Sequence, residues 1–124
     1  MANTVIAVNE LTEYNTFSAA ETYANLTAAV DSTSLTAEVA LKARDEKCLL
    51  LITNAHVSAA KKVTIKAGNG IQGVTDIEKE IAAGKYVIIS LESGAFKNVT
   101  GDNKGKVIIV GASADIEVAA FRLP

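Results

Sequence analysis

The chain has 124 residues, one cysteine, no tryptophan and a formal net charge of −2. A chain of this length fits one domain, able to bury about two-thirds of its unfolded surface without a metal or disulfide. The lone cysteine rules out an internal disulfide, and the near-neutral charge excludes a general nucleic-acid footprint. No run approaches the ~20 apolar residues that carry a helix across a bilayer. Met1–Ile6 lacks the basic and long apolar regions of a signal peptide, so the expectation is a protein made in the cytoplasm with no membrane partner.

In chain order, Thr4–Val8 reads as a short strand, followed by a polar, turn-rich stretch from Asn9 to Ser18 with Tyr14 and Phe17 as apolar anchors. Residues 18–30 are ambiguous. Ser18 and Glu21 have capping-box spacing, and Ala19, Tyr23, Leu26 and Val30 fall on one helical face, yet the Thr and Asn content suits an extended strand equally. Asp31–Ser34 is a turn, and Val39 and Leu41 alternate with polar neighbours. Arg44–Lys47 forms a charged turn into Cys48–Thr53, whose run Leu49–Ile52 suggests a strand covered on both faces. Cys48 inside that run reads as a small buried hydrophobe.

Lys62, Thr64 and Lys66 alternate with Val63, Ile65 and Ala67, the mark of a half-buried strand. Ile77–Ile81 is short and fits either a strand or a helical turn. Ala83–Lys85 is a tight turn into the apolar strand Tyr86–Leu91. A long loop rich in Gly, Asn and Asp runs from Glu92 to Gly105. Two final strands, Lys106–Val110 and Ile116–Leu123, are joined through Gly111–Asp115. Short strands at intervals of roughly a dozen residues, separated by turn residues, belong to an all-β sandwich or barrel. With only six aromatic residues, the core must be aliphatic.

Charge is unevenly placed. Residues 1–40 hold five acidic side chains (Glu10, Glu13, Glu21, Asp31, Glu38) and no Lys or Arg, while the remainder holds all twelve Lys and Arg against nine acids. Such asymmetry can steer contacts between subunits, or reflect ordinary solvated faces.

One motif points elsewhere. Gly68-Asn-Gly70-Ile-Gln-Gly73 matches the dinucleotide fingerprint G-x-G-x-x-G and follows a strand. A Rossmann half requires further β-α-β units, and only about thirty residues of loop and strand follow Leu91. Glycines that let a loop turn sharply between strands explain the same pattern. His56 is the only histidine and has no partner spacing for a metal. Ser93-Gly94 lacks the G-x-S-x-G frame of a nucleophile elbow. No catalytic, cofactor or metal residues are therefore expected, and the chain reads as a binding brick.

The order KKVTIKAGNGIQGV, then AAGKYVIISLESGAFKNVTGDNKGKVIIV, then IEVAAFRLP resembles small structural proteins of tailed bacteriophages and prophages. The resemblance covers roughly Asp45 to Pro124 and centres on Glu92-Ser-Gly-Ala-Phe-Lys-Asn-Val-Thr-Gly101. It implies a capsid decoration or minor capsid protein on the virion surface, or a tail component, bringing no catalytic residues. It also implies the major capsid protein as partner and self-association as a homo-oligomer, a trimer being the form that the local symmetry of a shell suggests.

The expected architecture is a single antiparallel β-sandwich, Ig-like or jelly-roll-like, with room for one short helix near residues 18–30. Residues 1–16 are expected to form an N-terminal arm or strand, a possible contact element, beyond a sandwich made by residues 17–124 and complete without them. Val5, Ile6, Val8, Leu11, Tyr14 and Phe17 are its candidate protein-contact residues. A carbohydrate- or receptor-binding sandwich is the main alternative, weakened by the shortage of aromatic rings. A nucleotide-binding enzyme resting on Gly68–Gly73 is the remote one.

Overall fold

The computed structural model describes residues 4–11, 13–17, 20, 28–30, 35–41, 47–69, 75–92, 96–101 and 104–123. Their regular structure is β1 (Thr4–Ile6), β2 (Val8–Glu10), β3 (Ala28–Ala29), β4 (Thr36–Ala40), β5 (Lys47–Asn54), β6 (Lys61–Ile65), β7 (Ile77–Ile81), β8 (Tyr86–Glu92), β9 (Lys106–Gly111) and β10 (Ile116–Arg122). The all-β expectation holds. One sheet has the order β1-β4-β9-β6-β7 and the other β2-β10-β5-β8, with β3 also on β10. The helix considered near residues 18–30 falls mostly outside the described residues; within them, Ala28 and Ala29 pair antiparallel with β10.

The alternation visible in the sequence builds the core. Ala37, Val39, Val63, Ile65, Val107 and Ile109 from the first sheet meet Cys48, Leu50, Ile52, Ile116, Val118 and Ala120 from the second, all fully buried. Burying the Val, Leu and Ile side chains among them contributes roughly 1.5–3 kcal/mol each. β5 lies between β10 and β8. Its even-numbered residues face the core, while Leu49 and Leu51 face outward, half-buried.

The N-terminal segment departs from expectation. Residues 4–10 do not stand outside a sandwich that is complete without them. β1 pairs parallel with β4 in one sheet and β2 pairs parallel with β10 in the other. The chain changes sheets at Ala7, so it closes one side of the sandwich. These two parallel pairs also make the sandwich mixed rather than purely antiparallel. The physical reason is that Thr4–Val8 is apolar enough to supply the core: Ile6 is 3% exposed and Val8 packs against the same cluster.

Candidate interaction surface

The six candidate contact residues are divided by the strands that hold them. Ile6 is core, Val8 and Leu11 are half-buried, and Val5 faces outward from the edge strand β1. Leu11 donates its N–H to the Arg122 carbonyl at 2.9 Å, and residues 13–17 beyond it are all exposed. Phe17 is 100% and Tyr14 72% exposed. Exposed single apolar residues are ordinary, but two aromatic rings three positions apart on an acidic segment are candidates for partner contact.

The glycine motif and the loop that carries the family resemblance meet in space. A Cβ on Gly68 would lie 2.5 Å from the Lys97 carbonyl oxygen and 2.8 Å from the Phe96 carbonyl carbon, so only glycine permits this approach. Next to it, the Asn69 side chain accepts the Val99 N–H at 2.7 Å and donates to the Thr100 carbonyl at 3.1 Å. Lys97 Nζ donates to the Leu41 carbonyl at 3.3 Å, and the Gly105 N–H donates to Asn98 at 2.7 Å. The connections after β4, β6 and β8 are thereby tied into one end of the sandwich. The strand that follows the motif, β7, pairs antiparallel with β6, which precedes it. That is a hairpin, not the βαβ unit the dinucleotide reading needs. Gly70 and Gly73 lie outside the described residues.

The opposite end is organised by Asn54, the one buried polar residue among the described ones. Its side-chain nitrogen donates to the carbonyls of Ile81 at 2.9 Å and Ala59 at 3.0 Å, and its oxygen accepts the His56 N–H at 3.0 Å. His56 Nδ1 accepts the N–H groups of Ala59 and Ser58 at 2.9 and 3.1 Å. The half-buried His56 thus shapes a loop. Among the described residues, no three His, Cys, Asp or Glu side chains are grouped to hold a metal ion.

The two outer faces differ in chemistry. On the first sheet, the register places Lys62 across from Glu80 and Thr64 across from Glu78, and ion pairs join Lys62 to Glu78 at 3.3 Å and Lys106 to Glu38 at 2.9 Å. On the second, cross-strand rows read Ala119–Leu51–Ile88 and Phe121–Leu49–Ser90. The apolar character continues to the edge, where Tyr86 is 63% and Ile88 56% exposed. Between the open edges β7 and β8 lies a groove of about 330 Å³, its walls including Ile65, Ile77, Val87, Ile88 and Ile89. This apolar side was not foreseen. Its signal in the sequence is the run Tyr86–Leu91, which carries no charge and has apolar residues on both faces of the strand.

No family model, curated protein or solved structure matches the chain.

Proposed function

We propose that this chain is a structural protein of a bacteriophage virion, a capsid decoration or minor capsid protein that binds the outer shell and stabilises it through non-covalent contacts. The observation that carries the reading is the joining of the two motif loops. The segments whose sequence resembles phage structural proteins, around Gly68 and around Phe96–Gly101, are packed and hydrogen-bonded into one end of a sandwich. A stiff scaffold with its connections tied down presents a fixed surface, and repetition on a lattice lets individually weak contacts add through avidity. Exposed Tyr14 and Phe17 supply aromatic anchors of the kind that dominate interface energetics. The major capsid protein is the partner in this reading, and the virion surface the location.

The test is binding of purified protein to undecorated capsids. A Tyr14→Ser/Phe17→Ser double variant is expected to keep its melting temperature and lose most of its occupancy on particles. Unchanged occupancy would remove those residues from the interface, and no binding by the wild-type chain would remove the function.

A carbohydrate- or receptor-binding role remains the second reading, favoured by one observation: the Tyr86 ring is exposed although it sits on a strand. Binding on a glycan array that Tyr86→Ala abolishes would select it.

A further inference from the structure

We infer that the groove between β7 and β8 is a binding site for a free alkanoate, a small amphiphile whose aliphatic chain lies along the core and whose carboxylate meets Lys79. The first argument is the shape of the opening. The chain itself closes one side of the sandwich, where it changes sheets at Ala7 and sends Ile6 into the core. On the other side, between β7 and β8, no strand bridges the two sheets among the described residues. The groove there is about 330 Å³, and its floor is the core residues Ile52, Val63 and Ile65. That volume lies at the small end of the range for small-molecule sites, about 300–1,000 Å³.

The second argument is the lining. Ile77 stands opposite Ile65, and Val87 opposite Ile52, so both belong to the core-facing side of their strands, with Ile89 two positions further along. Ile77 is 36% exposed, and Val87 and Ile89 are half-buried although they pack against the core. These side chains are aliphatic, and no aromatic ring lines the groove. A planar aromatic ligand would find nothing to stack on, whereas a flexible hydrocarbon chain gains from every methylene it buries.

The third argument identifies the head group. β7 carries three successive charges, and the register sorts them by face. Glu78 and Glu80 fall across from Thr64 and Lys62 on the outer face, and the Glu78 carboxylate, though that residue also borders the groove, is held there by Lys62 at 3.3 Å. Lys79 falls across from the buried Val63, on the groove side, and has no ion-pair partner among the described residues. The charge offered to an occupant is therefore a single cation at the rim of an apolar slot, complementary to an anionic head on an apolar tail. The lysine stem can follow the tail while its ammonium stays in water. The site uses neither Tyr14 nor Phe17, so it stands or falls independently of capsid binding.

The experiment titrates the full chain with monomeric hexanoate, octanoate and decanoate, by calorimetry and methyl NMR. Binding is expected to saturate at one ligand per chain, with affinity rising about fourfold for each added methylene until the groove is full. The methyl signals of Ile77 and Ile89 should shift, and that of Ile6, on the closed side, should not. Lys79→Gln is expected to keep its melting temperature, weaken decanoate about fivefold and leave decanol unchanged. Lys79→Glu should prefer decylammonium to decanoate, and Lys85→Gln, outside the groove, should match the wild type. Absence of saturable binding to monomeric decanoate, shifts centred on Ile6, a Lys79→Gln loss shared equally by decanol, or binding confined to anionic phospholipid vesicles would each overturn the inference. So would a Lys79→Gln chain that self-associates yet keeps its preference for decanoate, because an inward lysine on an edge strand that serves only to block pairing behaves in that way.

Discussion

Gly68 lies flat against the backbone of Lys97, so closely that a Cβ at Gly68 would come within 2.5 Å of the Lys97 carbonyl oxygen. Backbone on one side and backbone on the other leave no flexible atom to yield. Gly68→Ala should therefore force the loops after β6 and β8 apart and cost about 1–3 kcal/mol, the usual range for overpacking. Gly84 has positive φ but open space around a Cβ. Gly84→Ala should be strained only through its backbone, costing about 1 kcal/mol. Chemical denaturation of both variants checks the order. Equal losses would mean that the close approach to Lys97 is not what requires glycine at position 68.

Neighbouring residues in β1 should behave oppositely. Ile6 is 3% and Val5 68% exposed. Ile6→Ala removes buried methylenes and leaves a cavity, and is expected to cost about 2–5 kcal/mol. Val5→Ser lies on the outer face and should change stability by no more than about 0.5 kcal/mol. Truncation before Val8 should lower the melting temperature for the same reason, because it strips the edge from β4. A truncated chain as stable as the full one would show that β1 contributes nothing to the sandwich.

Where alternation was clean, the strands were legible. Lys61–Ile65 places its apolar residues on one face and the buried positions follow that pattern, whereas in Lys106–Gly111 burial alternates although Ile108 and Val110 on the outer face are apolar too. Ile77–Ile81 was ambiguous because an edge strand exposed along most of its length has no periodicity to display. The exchange of sheets at Ala7 was hidden for the opposite reason. Thr4–Val8 is apolar on both faces and contains no Gly or Pro to mark a break, and only the pairing partners β4 and β10 divide it. The candidate contact residues suffered in the same way. Their hydrophobicity was visible, but hydrophobicity alone does not distinguish Ile6, which fills the core, from Phe17, which meets solvent. The apolar edge of β8 was missed because an uncharged strand reads as interior until its neighbours are known.

Asn54 holds three backbone groups with one side chain, receiving the His56 N–H and donating to the carbonyls of Ile81 and Ala59. Asn54→Leu matches it in size and leaves all three groups without that partner, and a cost of about 2–3 kcal/mol is expected. His56→Ala removes an acceptor from two N–H groups nearer the surface, where water can replace it, and should cost about 1 kcal/mol or less. Because Nδ1 accepts both bonds, the neutral ring must carry its proton on Nε2. Nitrogen chemical shifts of the ring at neutral pH check the tautomer. A proton on Nδ1 would contradict the loop geometry.

Asp76 introduces a small acid dependence at the loop that precedes β7. Its carboxylate accepts the Ala67 N–H at 2.7 Å and Lys66 Nζ at 2.8 Å. The backbone bond first, and the lysine second, hold its pKa below the ordinary value of 3.8. A carboxyl whose pKa falls on folding stabilises the native state only while ionised. The contribution is therefore complete above 3.8 and is lost as pH falls through the lower folded-state value. The site is exposed, so water and salt screen the lysine and keep the effect modest. Melting temperatures of the wild type and Asp76→Asn should differ in favour of the wild type at pH 7, narrow on adding salt, and converge in strong acid. A gap that persists unchanged to the lowest pH would mean that the carboxylate charge is not what anchors Ala67, and that the loop is held by shape alone.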